Sequence, residues 1–475
     1  MKGRLVAVSN RVGPVKAAAT AGGLAVALVE ALRKSHGLWF GWSGAQIEGT
    51  DDKLDVREEG GLTLATLDLP REEFEAYYNR FSNACLWPLF HFRLDLMRYD
   101  PAGLAAYRRV NQRFAARLQP LLKRDDMVWV HDFHLIPLGG ELRARKALQP
   151  MGFFLHTPFP PHDVMNTLPA HEWIVQSLFH YDLAGFQSPD DLQRFTDYVE
   201  RQAGGQVRDG IASAYGRKLR VGVYPVGIDV DSFRKLATGK PAEREAEKLR
   251  ALLHDREQII GVDRLDYSKG LLRRLGAYED LLDRHAELHG KVEFLQVAPI
   301  SRGELPAYRS FRAELERDAA RINGRFARVD WTPVRYLSRP LPRRTLASLY
   351  RTSRVGLVTP VRDGMNLVAK EFVAAQDADD PGVLVLSRFT GAAQQMTEAV
   401  LVNPYDACAT ADAMRQALKM PREERRQRHA SLMAGLQRDN NGHWRDRFLD
   451  ALAAAAAEIP ELEARSEDAE LEPAE

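Results

Sequence analysis

Asp363 and Glu371 stand eight residues apart in the segment RVGLVTPVRDGMNLVAKE, residues 354–371. The segment reads as a buried strand from Val355 to Val358, a polar turn containing Gly364, and a helix that carries Leu367, Val368, Ala369, Lys370 and Glu371. Ligands of open α/β sheets bind beyond the carboxyl ends of the strands, and the N–H groups of a turn there suit an anion. Glu371, about two helical turns past Asp363, can meet a second hydroxyl group. A plain strand-turn-helix with solvated acids would look the same, so other segments must decide.

Five further strand ends carry polar groups. The run Ile259 to Val262 is followed by Arg264 and Lys269, a guanidinium and an ammonium in one loop. Two cations aimed at a leaving diphosphate stabilise its developing charge, a task often given to a metal. The run Val292 to Val297 delivers Arg302, and Arg343 opens a later helix as a fourth cation. The first strand ends at Ser9-Asn10-Arg11, where the Arg11 guanidinium is suited to fork a phosphate. Gly22 and Gly23 open the next helix, where backbone could approach a diphosphate or a sugar, although a bare Gly-Gly before a helix is more often an ordinary turn. Met127 to Val130 leads to Asp132, which could accept hydrogen bonds from an acceptor sugar; Phe153 to Leu155 leads to His156, which could bind a donor-sugar hydroxyl. Tyr78 and Trp87 lie in an aromatic run with the make-up of a sugar platform. The bland alternatives are a surface ion pair for the arginines, backbone-satisfied Asp and His, and core packing for the rings. His131, Asp132 and His134 splay off a strand end, and Asp229-x-Asp231 and Asp377-x-Asp379 read as surface acids, so no metal site is expected.

The elements that must hold these groups alternate along the chain. Leu5 to Val8, the helical Leu24 to Leu32, Met127 to Val130, Phe153 to Leu155 and Leu183 to Phe186 form one series; Ile259 to Val262, Val292 to Val297, Val355 to Val358 and Val383 to Leu386 form another. Alternation of this kind specifies parallel, doubly wound sheets. The expected organisation is an α/β domain at 1–228, a second at 229–438, a helix at 439–459 returning to the first, and a disordered acidic tail at 460–475, with a hinge at Pro225 to Ile228.

Sixty-six basic residues against sixty-five acidic ones give no global field, which speaks against nucleic acid and anionic membrane and for local grip on a small anion. Two cysteines, Cys85 and Cys408, give no disulfide framework, and no long apolar run or signal core occurs, so a cytoplasmic protein is expected.

The motifs VSNR, AGGLA, LWFGWSG, YYNRFSNACLWP, VHDFHLIP, FFLHTPFP, RLDYSKG, APISRG, RINGRF and TPVRDGMNLVAKE, in this order, make the chain resemble the trehalose-6-phosphate synthase family over roughly residues 3 to 455. Those enzymes are retaining glycosyltransferases with two Rossmann-like domains facing across a cleft (GT-B). The resemblance implies transfer of glucose from UDP-glucose to glucose 6-phosphate without a metal or other cofactor. It implies glucose 6-phosphate on Arg11, Tyr78, Trp87, Asp132 and Arg302, with Arg11 and Arg302 on the phosphate. It implies UDP-glucose on Gly22, Gly23, Arg264, Lys269, Leu341, Asp363 and Leu367 to Glu371, with His156 and Asp363 on the transferred glucose. Leu341 departs from the family's aromatic residue at the base, which opens the site to ADP- or GDP-glucose. Also implied are closure of the domains, a homo-oligomer (dimer or tetramer), and a separate phosphatase for the product. Rival readings are a glucosylglycerol-phosphate synthase, a pseudoglycosyltransferase and a silent sugar-phosphate sensor.

Overall fold

The structure is a computed structural model and describes residues 3–13, 24–49 and 53–471. The chain forms two compact units, Met1–Pro225 with Trp444–Glu475, and Val226–His443. The division therefore falls at 225/226 and 443/444, where 228 and 438 were expected.

In the first unit ten strands make one sheet: β1 (Leu5–Arg11), β2 (Leu38–Ile47), β3 (Leu54–Glu59), β4 (Leu62–Pro70), β5 (Met127–His131), β6 (Met151–Phe154), β7 (Leu183–Phe186), β8 (Gln206–Arg208), β9 (Ile211–Ala214) and β10 (Arg217–Val223). Their order is β3-β4-β2-β1-β5-β6-β7-β10-β9-β8. The centre is parallel, and antiparallel hairpins close both edges. Strands β1, β5, β6 and β7 are buried almost throughout because helices cover both faces, which is why their sequences are continuous apolar runs. The edge strand β3, Leu-Asp-Val-Arg-Glu-Glu, is charged and largely exposed, so an apolar pattern does not mark it.

The second unit holds a wholly parallel six-stranded sheet: β11 (Glu257–Val262), β12 (Val292–Val297), β13 (Val334–Leu337), β14 (Val355–Val358), β15 (Val383–Ser387) and β16 (Val400–Val402), in the order β13-β12-β11-β14-β15-β16. In both sheets the chain winds outward one way and then the other. The winding reverses between β1 and β5 in the first sheet, and between β11 and β14 in the second. Register pairs Val8 with Val130, and Ile260 with Gly356, so the loops after each pair emerge side by side at the same edge. Such switch points are the binding crevices of doubly wound sheets.

The final helix runs Asn441–Leu471 with Pro460 inside it. The helix thus runs past the expected end at 459 and takes in residues 461–471 of the tail expected to be unstructured: Ala, Glu, Leu and Arg dominate there, and their helix propensity carries the element on. Its Trp444 and Phe448 pack on Trp129 of β5, with ring centroids 4.7 Å apart in each pair. Gly152 of β6 and Gly185 of β7 make that possible, since a Cβ at either would sit 2.7 Å from the Phe448 ring. Phe448 is fully buried, and removing a ring of this kind costs about 3–5 kcal/mol.

Candidate active site

At the first switch point, β1 ends in the exposed Arg11, whose guanidinium lies 5.6 Å from the Trp42 ring. A Cβ at Gly44 would sit 2.6 Å from that guanidinium, so the glycine makes room for it. β5 leads directly into Asp132, whose backbone adopts φ 73° and ψ 165°. A non-glycine residue held there costs of order 1–3 kcal/mol, and strain of this kind gathers where a side chain must be aimed. The Asp132 carboxylate accepts the His156 backbone N–H at 3.2 Å, joining the ends of β5 and β6.

The His156 ring lies between two side chains. Gln187 Nε2 donates to its Nδ1 at 3.4 Å, which leaves the proton on Nε2, facing His131 Nδ1 at 3.1 Å. Burial holds both imidazoles uncharged, pushing His156 down to about 3 and His131 well below its ordinary value. His134 turns away and stacks on Tyr78 with centroids 5.7 Å apart. Of the three neighbours at this strand end, His131 and Asp132 thus both serve His156, through its ring and its backbone, while His134 serves Tyr78.

Tyr78 and Trp87 come from one helical run, Arg71–Phe90, whose middle, Glu75–Leu86, is wound as a π-helix. The wider winding, a frequent mark of functional sites, sets the two faces of the run. Tyr77, Phe81 and Cys85 are buried, with Tyr77 donating to Asn10 Oδ1 at 2.7 Å. Tyr78 is only partly buried and joins Phe74, Trp42 and His134 in a ring cluster. Trp87 is buried, its ring 4.0 Å from that of His91. Gly22 and Gly23 lie outside the described residues.

At the second switch point the groups are ionic. Lys269 Nζ donates to Asp363 Oδ2 at 2.5 Å, and Asn366 Nδ2 donates to the same oxygen at 3.0 Å. Arg264 is exposed at the end of β11. Gly270, at φ 69°, closes the Lys269 turn where a Cβ would run into the Thr359 carbonyl. Asn366, at φ 73°, caps the helix Leu367–Ala375 by accepting the Ala369 N–H at 3.3 Å. That cap puts the positive end of the helix dipole beside Asp363 and Lys269.

One turn further in, Glu371 is buried with the Arg343 guanidinium 3.6 Å away. Burial raises its carboxyl to about 7, and Arg343 draws it part of the way back. Arg343, read from sequence as a fourth phosphate-facing cation, is thus the partner of Glu371. Lys370 is buried too; its Nζ donates to the Val226 carbonyl and to Gln395 Oε1, each at 2.7 Å, and burial lowers it to about 7. Leu341 is half-buried in the loop before the helix Arg343–Thr352. Asp229 caps the helix Val230–Thr238 and Asp377 pairs with Arg351, both local structural roles. Among the described residues no group of three or more His, Cys, Asp or Glu could hold a metal ion, and no helix is long and apolar enough to cross a membrane.

Sequence reasoning missed Arg274. Its guanidinium, wholly buried, donates to Asp263 at 2.7 Å, to Thr359 at 3.0 Å and to Gln296 at 3.0 Å, clamping the ends of β11, β12 and β14 together. The signal was present: Arg274 falls on the same helical stripe as Leu271, Leu275 and Tyr278, and a charge on an apolar stripe requires a buried partner.

Two doubly wound sheets, each gathering hydrogen-bonding and charged side chains at its switch point, define the two-domain GT-B class of glycosyltransferase. The chain belongs to glycosyltransferase family 20, which it matches over residues 6–454. It is 47% identical to the trehalose-6-phosphate synthase of Citrobacter koseri, covering 96% of both chains, and 48% identical to that of Sinorhizobium fredii, covering 95% of this chain and 99% of the other. It superimposes with TM-score 0.92 on the alpha,alpha-trehalose-phosphate synthase (UDP-forming) of Burkholderia xenovorans in complex with glucose-6-phosphate, at 47% identity, covering 95% of this chain and 100% of that one. An E. coli structure bound with UDP-2-fluoro glucose matches with TM-score 0.90 at 44% identity, covering 95% and 99%.

Proposed function

We propose that the protein transfers glucose from UDP-glucose to glucose 6-phosphate with retention at the anomeric carbon, giving trehalose 6-phosphate and UDP. The observation that carries this reading is the Lys269–Asp363 pair at the second switch point, a cation and a carboxylate held ready for a diphosphate and a sugar. When the donor binds, Lys269 and Arg264 take the diphosphate, the N-terminal turn Leu367 to Lys370 faces it, Glu371 accepts from the ribose, and Leu341 lies against the base. Asp363, with its ammonium turned to the phosphates, accepts from the transferred glucose. His156, neutral and oriented by His131, meets that glucose by replacing its long bond to Gln187. Arg11 and Arg302 take the acceptor phosphate, while Tyr78, Trp87 and Asp132 orient the acceptor hexose.

The bond between the anomeric carbon and the phosphate oxygen breaks as the acceptor oxygen bonds to the same face. The leaving diphosphate takes the acceptor's proton. Arg264 and Lys269 stabilise the charge that grows on it, which supports a reaction independent of metal. On this reading the enzyme works in the cytoplasm as a homo-oligomer, and a separate phosphatase consumes the product.

UDP release from UDP-glucose in the presence of EDTA, with glucose 6-phosphate, glycerol 3-phosphate or no acceptor, tests the proposal. Release only with glucose 6-phosphate and a phosphodisaccharide of the right mass is expected. Release with glycerol 3-phosphate alone would make it a glucosylglycerol-phosphate synthase. Silence with UDP-, ADP- and GDP-glucose alike would make it a sensor. Faster turnover of ADP- or GDP-glucose would trace to the aliphatic Leu341.

A further inference from the structure

Asp266 is fully buried, and both of its carboxylate oxygens are engaged. Oδ1 accepts the Ser268 N–H at 3.0 Å and so starts the tight turn that ends in Lys269. Oδ2 accepts Arg302 Nη1 at 2.7 Å and the Tyr308 hydroxyl at 2.9 Å, and Arg302 Nη1 also donates to that hydroxyl at 2.8 Å. The three side chains close a ring of hydrogen bonds around one guanidinium nitrogen. Arg302 itself sits at φ 52°, a left-handed conformation that its surroundings must enforce. Leu265 N–H donates to the Pro299 carbonyl at 2.9 Å, so the loops after β11 and β12 are also joined through their backbones beside this carboxylate.

From this geometry we infer that Asp266 is a positioning residue: it fixes the plane of the Arg302 guanidinium relative to the Lys269 turn, so that one buried carboxylate sets the acceptor-phosphate cation and the donor-diphosphate cation in a single frame. The inference rests on the proposed function for the role of Arg302 and goes beyond it in assigning Asp266 and Tyr308. A guanidinium carries its five N–H donors in one rigid plane, so holding it through Nη1 fixes the direction of the whole group. Lys269 is tied in the same way at its other end by Asp363, so neither cation has to be ordered when its ligand arrives. Ordering a long side chain at binding costs affinity, and a frame that has already ordered it removes that cost.

Asp266→Asn is the sharp test, because the amide oxygen can still accept the Ser268 N–H while the amide nitrogen turns a donor toward Arg302. The KM and the calorimetric Kd for glucose 6-phosphate should both rise about 10- to 100-fold, the loss of a charged hydrogen bond, while the KM for UDP-glucose changes by less than about threefold. In an Arg302→Ala background, Asp266→Asn should add nothing to the glucose 6-phosphate loss, because coupled residues are not additive. Tyr308→Phe, which removes one bond of the ring and keeps the carboxylate, should raise the same KM about threefold and carries the test if the Asn variant fails to fold. Glucose 6-phosphate affinity within twofold of the parent in the folded variants, or additive losses in the double variant, overturns the assignment. Binding of glucose 6-phosphate by the parent with no UDP release would instead count against the proposed function, and no binding at all would overturn both.

Discussion

The two switch points share one topology and differ in chemistry. At the first, between β1 and β5, the groups gathered around Asp132 are neutral rings and amides: His156 and His131 are held uncharged, Gln187 fixes a tautomer, and Tyr78 offers a ring face. Its cation, Arg11, stands exposed at the strand end. At the second, between β11 and β14, charges are set against one another in partial or full burial: Lys269 with Asp363, Arg302 with Asp266, Arg274 with Asp263, and Arg343 near Glu371. A sugar is read by hydroxyl geometry, for which neutral groups of fixed orientation suffice. A leaving diphosphate must be met by charge, and charge can be stored in a folded interior only when it is paired.

The sharpest way to break this contrast is Lys269→Ala. If the second region stabilises the leaving group, kcat falls about 10²- to 10³-fold; a loss under tenfold in steady-state kinetics would remove Lys269 from that role. Asp132→Asn probes the first region. Asn has the shape of Asp, so the backbone strain at this position is unchanged, and kcat/KM for glucose 6-phosphate should fall about 10- to 100-fold. The KM for UDP-glucose should hold, and equal loss for both substrates would erase the division of labour.

Glu371 offers a pH test. Its carboxyl rises from 4.5 unfolded to about 7 folded, so the folded chain keeps a proton that the unfolded chain releases between those values. The resulting stability is complete below pH 4.5 and is lost as pH rises through 7, on the order of 3 kcal/mol. Lys370, lowered from 10.5 to about 7, gives the opposite slope above pH 7, where stability is regained. Glu371→Gln should therefore flatten the acid side of the stability profile only. If the ionised carboxylate accepts from the ribose, the UDP-glucose KM of the parent should fall as pH rises through 7, and Glu371→Gln should remove that fall. Thermal melts and KM profiles from pH 5 to 8 that match the parent would place the ionised carboxylate elsewhere.

The smallest effect is expected at Asn366. Replacement by Ala removes a cap and leaves a side chain at positive φ, which should cost about 1–3 kcal/mol in urea unfolding; Gly, which accepts that φ, should cost only a few tenths. Equal losses would mean that the left-handed backbone of Asn366 has no energetic weight.

Much of the frame was legible along the chain. Short apolar runs rich in β-branched residues and bounded by turn signals, such as Val355 to Val358, read as strands buried on both faces, and a polar group directly after such a strand lies at a sheet edge. That rule set Arg11, Asp132, His156 and Arg264 at strand ends, where the structure has them, and the loops that follow β11 and β14 carry Lys269 and Asp363. The charged edge strand β3 was not legible, because exposure leaves no apolar signature, and neither was the helical run past Pro460, where composition spoke for disorder and propensity for helix.

The sequence by itself determined the strands, the two-sheet α/β class and the residues that stand at strand ends, because burial period and turn chemistry are local. Only the tertiary structure decided who meets whom. Lys269 and Asp363 are 94 residues apart, Asp266 and Arg302 are 36 apart, and His131 finds His156 across 25. Each pair exists because strand order places β14 beside β11, β12 on its other side, and β6 beside β5. Strand order follows from how helices pack on the two faces of each sheet, a sum over the whole unit that no short segment contains.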